Sequence, residues 1–275
     1  MKRGTGKTMS KTILITGATD GIGLETACKL SAAGHTLLLH GRNPDKLAAA
    51  KARVGAKPGA GEVETWLADF SDLADVARMG SEIASTHERL DVVINNAGIL
   101  KSPVEMTPAG LDIRFVVNLL APVLLTQKLL PLMGPGSRVV NLSSAAQAPV
   151  DPAALAGKKQ LSAMDAYAQS KLALTMWTRH LAQDLAGKGP LIVAVNPGSL
   201  LASKMVKQGF GIAGNDLGIG ADILVRAAVS EEFASANGLY FDNDSGRFAD
   251  PHPGGLNDAR TAELMEQVTQ LLKAA

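Results

Sequence analysis

Cysteine, aromatic side chains and net charge are all scarce in this chain. A single cysteine, Cys28, stands among 275 residues. An intrachain disulfide framework is therefore excluded, and a reducing, cytoplasmic setting is expected. Lys+Arg number 27 and Asp+Glu 26, a formal net charge of +1. Such balance gives no general attraction to nucleic acid or to an anionic membrane, and neither is expected as a partner. The longest apolar stretch, "FVVNLLAPVLLT", contains Asn118 and gives way to Gln127 and Lys128. No uninterrupted run reaches the roughly 18 to 20 residues that would cross a bilayer. Near the start only Ile13 to Ile15 run apolar before Thr16 and Gly17, too few for a signal-peptide core. The histidines, His35, His40, His87, His180 and His252, show no paired spacing, so no metal is expected. Aromatics make up 4% of residues, with two tyrosines and two tryptophans, Trp177 reading as core or interface.

What the chain does have is apolar material, 46% of residues, in a regular rhythm. Residues 1–10 read as a flexible basic arm. Its "GTGKT" suggests a phosphate-binding loop, but the glycine required five residues before the Gly-Lys pair falls on Met1 and no strand precedes it. From residue 11 strands and helices alternate. The stretches "KTILIT", "HTLLLH", "EVETWLAD", "LDVVINNAG", "SRVVNLSS", "LIVAVNPG" and "GLYFD" read as strands. Helices are expected from Gly21 to a C-cap at Gly34, from Pro44, and from a cap at Ser71 or Asp72. Further helices are expected over 107–133, 163–187, 216–230 and 258–273. Apolar cores such as "VVI" and "IVAV" suit strands buried on both sides. With no linker, repeat or low-complexity block, residues 11–275 are expected to form an α/β fold: a single-domain, Rossmann-type doubly wound parallel sheet with helices on both faces.

"TGATDGIG", Thr16 to Gly23, follows the first strand and opens the first helix. That is the context a dinucleotide turn demands. Gly17 permits the sharp turn, Gly21 lets backbone approach a pyrophosphate, and Gly23 lets helix and strand pack closely; Thr19, Asp20 and Ile22 lie between them. Unpaired amides at the helix start suit an anion. "GFGIAG", 209–214, has the letters of such a turn but follows "KMVKQ", which is no strand, and is expected to be a mobile loop.

"DAYAQSK" places Tyr167 and Lys171 four residues apart, on one face of a helix. Free tyrosine has a pKa of about 10, and a nearby cation favours the phenolate and lowers that value. The pair is therefore a candidate tuned acid. Ser143 and Ser144 close the fifth strand and should point to opposite faces. Asn118 lies within an apolar helix, where a buried amide needs partners.

Taken in order, "TGATDGIG", "NNAG" (Asn95 to Gly98), Asn118, "NLSS" (Asn141 to Ser144), "YAQSK" (Tyr167 to Lys171) and "NPG" (Asn196 to Gly198) resemble the short-chain dehydrogenase/reductases over roughly residues 11–245. "NPGSLLASKM" and "YFDNDSGRFADPHP" are similar to the subgroup of retinol dehydrogenases and WW-domain oxidoreductases. The resemblance implies an oxidoreductase that transfers a hydride between a nicotinamide cofactor and a carbonyl or alcohol. It implies Tyr167 as general acid in reduction and base in oxidation, Lys171 tuning it and holding the nicotinamide ribose, and Ser144 on the substrate oxygen. Asn118 would hold a water that relays protons to Lys171. Asp69 would bind the adenine amino group with backbone help from Phe70. Asn96, Ala97 and Gly98 would line the adenosine ribose, and Pro197 and Gly198 would cover the nicotinamide. The threonine familiar after that turn is replaced by Ser203. Bland alternatives are a helix–strand hydrogen bond for Asn118 and an N-cap for Asp69. Self-association into a homo-oligomer is compatible with the family.

An acid about 20 residues beyond the glycine turn binds the ribose of NAD, whereas an arginine accommodates the 2′-phosphate of NADP. Here "LLLHGRN" places His40 and Gly41 at the strand end, followed by Arg42. NADP is therefore expected over NAD, with Asp20 as the dissenting residue unless it caps the helix. The segment 145–166 is expected to form a flap beside the cleft together with residues 199–216. Its aliphatic residues (Leu155, Leu161, Met164, Leu200, Leu201, Met205, Phe210) point to an apolar small-molecule substrate. "DNDSG" at Asp242 resembles the start of a calcium loop, but Pro253 occupies the position of the closing glutamate. The readings from other classes are an NADP-binding regulatory or scaffold protein and an epimerase or dehydratase. The intact Asn118, Ser144, Tyr167 and Lys171 set argues against the scaffold, and the short C-terminal part against a separate substrate domain.

Overall fold

A computed structural model describes residues 9–185, 187–202 and 214–274. The apolar triplets form strands, and successive residues feed opposite cores. The elements run β1 (Thr12–Ile15), α1 (Gly21–Ala32), β2 (Thr36–Gly41), α2 (Pro44–Gly55), β3 (Val63–Leu67), α3 (Leu73–Thr86) and β4 (Val92–Asn95). There follow α4 (Ile113–Phe115), a π-helical turn (Val116–Leu120), α5 (Ala121–Leu129), β5 (Arg138–Leu142), α6 (Pro152–Leu155), α7 (Ala163–Leu185) and β6 (Leu191–Asn196). Last come α8 (Leu217–Val229), β7 (Tyr240–Asp242), β8 (Arg247–Ala249) and α9 (Asp258–Ala274). One sheet has the order β3-β2-β1-β4-β5-β6-β7-β8. Every neighbouring pair is parallel except β7 with β8. The strand order reverses between β1 and β4, and the crevice at the carboxyl ends of those strands is where such sheets bind ligands.

Ile13, Ile15, Val92, Ile94, Val140, Val193 and Val195 pack into one core with residues of α1, α2 and α8. Their strand neighbours Leu14, Val93, Val139 and Ile192 pack into the other, with α3, α5, α7 and α9. This period of two across a sheet covered on both faces is the reason the strands read as continuous apolar runs. Cys28 and Trp177 are buried.

Helix boundaries follow local chemistry. Gly34, at φ +84°, follows the α1 C-cap Ala33. Asn43 accepts from the Lys46 amide at the start of α2, with Pro44 in the first turn. Asp72 caps α3 through the Ala74 amide, leaving Ser71 outside the cap. The helix expected from 107 begins only at Ile113. Before it, Gly110 at φ +75° closes a turn onto the Thr107 carbonyl, and Asp112 caps through the Arg114 amide. The π-turn has a covalent reason: the α-helical donor for the Asn118 carbonyl would be residue 122, and Pro122 has no N–H. Ile113–Leu132, 20 residues, contains an 18-residue window of mean hydropathy 1.6, long and apolar enough by length and composition to cross a membrane despite its interrupting polar residues. The protein interior covers 67% of that window, so its apolarity serves the core.

The segment 145–166 is fastened rather than hanging as a flap. Leu155 of α6 is buried in the core and Leu161 packs against it. Ala148 N–H donates to the Ala168 carbonyl, Asp151 N–H to Gln169 Oε1, and Gln267 Nε2 to the Pro152 carbonyl. The strand β8 had no period of its own to announce it; it is three residues long and pairs through the Gly246 turn, with Phe248 stacked edge-on against Phe241 at 5.1 Å.

Candidate active site

The glycine turn is held from both flanks. Gly17 and Gly21 take φ of +66° and +56°, open to glycine at little cost. Asn96 Nδ2 donates to the carbonyls of Thr16 (2.8 Å) and Gly17 (3.1 Å). The amides of Asn96 and Ala97 both donate to Thr16 Oγ1 at 3.0 Å. The neighbouring Asn95 amide reaches Asn141 Oδ1 on β5 at 2.8 Å. Several "NNAG" side chains and amides are thus spent on joining strands, which leaves Gly98 as the surface at the cleft. A Cβ on Gly98 would stand 3.3 Å from both Asn118 Oδ1 and Lys171 Nζ.

On the other flank, Gly17 N–H donates to His40 Nδ1 at 3.2 Å, and His40 Nε2 meets the Ala68 carbonyl at 3.0 Å. The imidazole stacks on Phe70 at 4.1 Å. Burial lowers its pKa to about 4. At Gly41 a Cβ would collide with Thr19 Cγ2, so a side chain here would require Thr19 to shift. Arg42 beside it is exposed and forms no ion pair among the described residues. Asp20 is the backbone N-cap of α1 without a side-chain capping bond. Asp69 Oδ1 accepts from the amide and hydroxyl of Ser71 at 2.9 and 2.8 Å, a local turn and not a helix cap. Ile22 and Leu201 close on Gly220 of α8.

At the reacting end, β5 and α7 bring three side chains together. Ser144 lies beside Tyr167, close enough to act on its phenol. Ser143 faces the other way, 2.7 Å from Thr175 Oγ1, as strand alternation requires. Lys171 is buried, donates to the Leu142 carbonyl at 2.8 Å, and lies 5.6 Å from the Tyr167 ring centre. Burial lowers its pKa to about 8. Burial also raises Tyr167, with Ser144 pulling the other way. This differs from the sequence expectation: desolvation dominates the phenol, and the lysine charge is aimed at a carbonyl and the ring. Asn118 Oδ1 accepts from Ile99 N–H at 2.8 Å, and its Nδ2 donates to the Ile99 carbonyl and Ser170 Oγ, both 3.0 Å. Its side chain is therefore a strut between helix and loop; any water would have to use its backbone.

After β6, Gly198 takes φ +116° and its N–H donates to Asn196 Oδ1. Asn196 Nδ2 donates to Asp242 Oδ1 and Asp244 Oδ2, and Asp244 also receives the Ser199 amide and hydroxyl. Asn243 Nδ2 donates to the Pro197 carbonyl at 3.0 Å. The "DNDSG" acids clamp this turn, and no group of three or more His, Cys, Asp or Glu able to hold a metal occurs among the described residues. Ser203, Met205, Phe210 and most of "GFGIAG" lie outside the described residues.

Sequence reasoning missed Thr16, His40, Gln147 and Tyr240. His40 stood beside the cofactor-reading position and Tyr240 is one of two tyrosines, but their partners lie 23 and 96 residues away.

The short chain dehydrogenase family pattern matches residues 11–210. The chain belongs to the short-chain dehydrogenase family. It is 32% identical over 253 residues to human retinol dehydrogenase 13, covering 84% of this chain and 76% of that one, and 31% identical over 244 residues to mouse retinol dehydrogenase 12, covering 84% and 77%. It stands with the retinol dehydrogenase-like subgroup, and its fold is that of the family's oxidoreductases. An uncharacterised protein from Mycobacterium paratuberculosis superposes with a TM-score of 0.79 at 29% identity, over 96% of this chain and 93% of that one. A Shigella flexneri short chain dehydrogenase complexed with NADP gives 0.66 at 26% identity, over 85% and 96%.

Proposed function

We propose that this oxidoreductase interconverts an apolar carbonyl and its alcohol with NADP(H), Tyr167 serving as general acid and base. The observation that carries the reading is the convergence of Ser144, Tyr167 and Lys171, with Lys171 Nζ 5.6 Å from the Tyr167 ring centre and 3.3 Å from where a Cβ on Gly98 would stand. The residues fit a dinucleotide: the Gly17 site would place a Cβ 2.9 Å from the Ala97 Cα, so this close approach exists only without a side chain. Arg42 would hold the 2′-phosphate, Asp69 and Phe70 the adenine, the turn from Gly17 to Gly23 the pyrophosphate, Lys171 and Tyr167 the nicotinamide ribose, and Pro197 with Gly198 the nicotinamide. When bound, the cofactor supplies or takes the hydride.

The chain's own groups handle the oxygen. Ser144 and Tyr167 donate hydrogen bonds to the carbonyl oxygen, which stabilises charge as it develops there. Burial keeps Tyr167 protonated until that charge can accept its proton. Lys171, cationic below a pKa of about 8, stabilises the phenolate left behind. The backbone carbonyl of Asn118, at the π-turn, holds the water that returns a proton toward Lys171. Exposed Met164, one turn before Tyr167, with Leu200 and Ile219, supplies the apolar lining. Leu155 and Leu161 belong to the core instead. The mammalian relatives named for retinol, and the bacterial relative holding NADP, support this class of substrate and cofactor.

Fluorescence titration with NADPH and with NADH tests the cofactor reading; tighter NADPH binding is expected. Turnover of hydrophobic carbonyls by wild type and Tyr167→Phe tests the chemistry. The variant should bind NADPH and lose turnover; full activity in it would sink the mechanism.

A further inference from the structure

Both tyrosines of the chain converge on Ser144. Tyr167 lies beside its hydroxyl. Tyr240, on β7 and 6% exposed, donates its hydroxyl to the Ser144 carbonyl at 3.2 Å. Gln147 Nε2 donates to that same carbonyl at 2.9 Å. Gln147 is in turn fixed by the His252 amide, which donates to its Oε1 at 2.9 Å. A catalytic hydroxyl needs only one donor or acceptor to be useful, so this much attention to its peptide calls for a reason.

The reason lies in where the strand ends. Ser143 N–H donates to the Val195 carbonyl, and β5 has already closed at Leu142. The Ser144 carbonyl therefore needs partners from outside the ladder. The orientation of the peptide after Ser144 also decides where the next amides point, and Ala146 N–H donates to Ser144 Oγ at 3.1 Å. Rotation of that peptide would carry Ala146 N–H away from the hydroxyl and release its rotamer. Burial and the nearby Asp242 and Asp244 hold the Tyr240 phenol above its ordinary pKa, which keeps it a donor.

We propose that Tyr240, with Gln147, is a positioning residue: by fixing the Ser144 carbonyl it holds Ala146 N–H on Ser144 Oγ and aims that hydroxyl at Tyr167 and the substrate oxygen. The proposal rests on the catalytic reading above. It gives "GLYFD" and the "ADPHP" segment a shared task, since the first supplies Tyr240 and the second the His252 amide that steadies Gln147.

The test is a kinetic double-mutant cycle of Tyr240→Phe with Ser144→Ala, using NADPH and a hydrophobic carbonyl. Misplacement of a reacting group by about 1 Å can cost ~100-fold, so Tyr240→Phe alone is expected to lower kcat by about 10-fold with KM for NADPH unchanged. In the Ser144→Ala background the same change should cost less than about 2-fold, because the group it positions is gone. Gln147→Leu should reproduce the pattern. Equal losses in both backgrounds, or an unchanged kcat in Tyr240→Phe, would overturn the proposal. A second readout does not use activity. Tyr240→Phe leaves Tyr167 as the chain's only tyrosine, and its spectrophotometric titration reports how Ser144 acts on the phenol. Adding Ser144→Ala should then leave that titration unmoved; a further rise would show Ser144 still in place and refute positioning even if the catalytic reading fails. Full turnover in Tyr167→Phe would count against the catalytic reading alone.

Discussion

Gly17 and His40 are joined by a hydrogen bond whose direction assigns the imidazole. The Gly17 amide can only donate, so Nδ1 accepts at 3.2 Å, and Nε2 carries the hydrogen toward the Ala68 carbonyl at 3.0 Å. A protonated ring would present a hydrogen to the Gly17 amide, and burial already holds the pKa at about 4 against an ordinary 6.5.

The consequence is a pH dependence of stability. Between those two values the unfolded chain binds a proton that the folded chain refuses, so stability falls as pH falls from about 6.5 toward about 4. Between pH 7 and pH 5 this group accounts for about 2 kcal/mol of loss. Urea unfolding at the two pH values should show it in wild type, and His40→Gln should flatten the difference by that amount.

Gly41 and Thr19 form a steric pair. Gly41→Ala should cost about 1 to 3 kcal/mol, because its Cβ collides with Thr19 Cγ2. Thr19→Ser, which removes that methyl, should restore most of the loss in the double variant. Thermal or urea unfolding of the four proteins measures the coupling, and additive losses would refute the contact.

Arg114 is fully buried and pairs with Asp112 through Nε at 2.8 Å and Nη2 at 2.7 Å, while Nη2 also reaches the more exposed Glu105 at 2.7 Å. Arg114→Met strands the Asp112 carboxylate and should cost about 3 to 5 kcal/mol. Glu105→Gln removes a partner that water can replace and should cost less than about 1 kcal/mol. Equal effects in urea unfolding would mean that burial of the guanidinium does not decide its energetics.

These sites show where a sequence can be read and where it cannot. Leu14 between Ile13 and Ile15 announces a strand because both faces of the sheet are covered, and Pro44 after Asn43 marks a helix start by local chemistry. Ser144 over Ser143 follows from the period of two once the strand is placed. The start at Ile113 was obscured because residues 107–112 have helix-compatible composition but spend their hydrogen bonds on a turn at Gly110. The Tyr167 phenol was misjudged because spacing reports the nearby lysine and not the burial that outweighs it. Asn118 was legible as a buried amide in need of partners, but not that Ile99 and Ser170 would be those partners. Tyr240 could not be assigned from any local pattern, since its bond to Ser144 spans 96 residues.

The short hairpin strand β8 has a consequence for how the sheet ends. β7 would otherwise end the sheet with a row of open amides and carbonyls, a template on which another chain could add a strand. β8 occupies that row with only three residues, Arg247–Ala249, running against β7. Its own outer edge is too brief to recruit much, carries Arg247, and is followed at once by Asp250 and Pro251. The hairpin that rounds off the fold thus also caps this edge of the sheet, leaving β3 as its other edge.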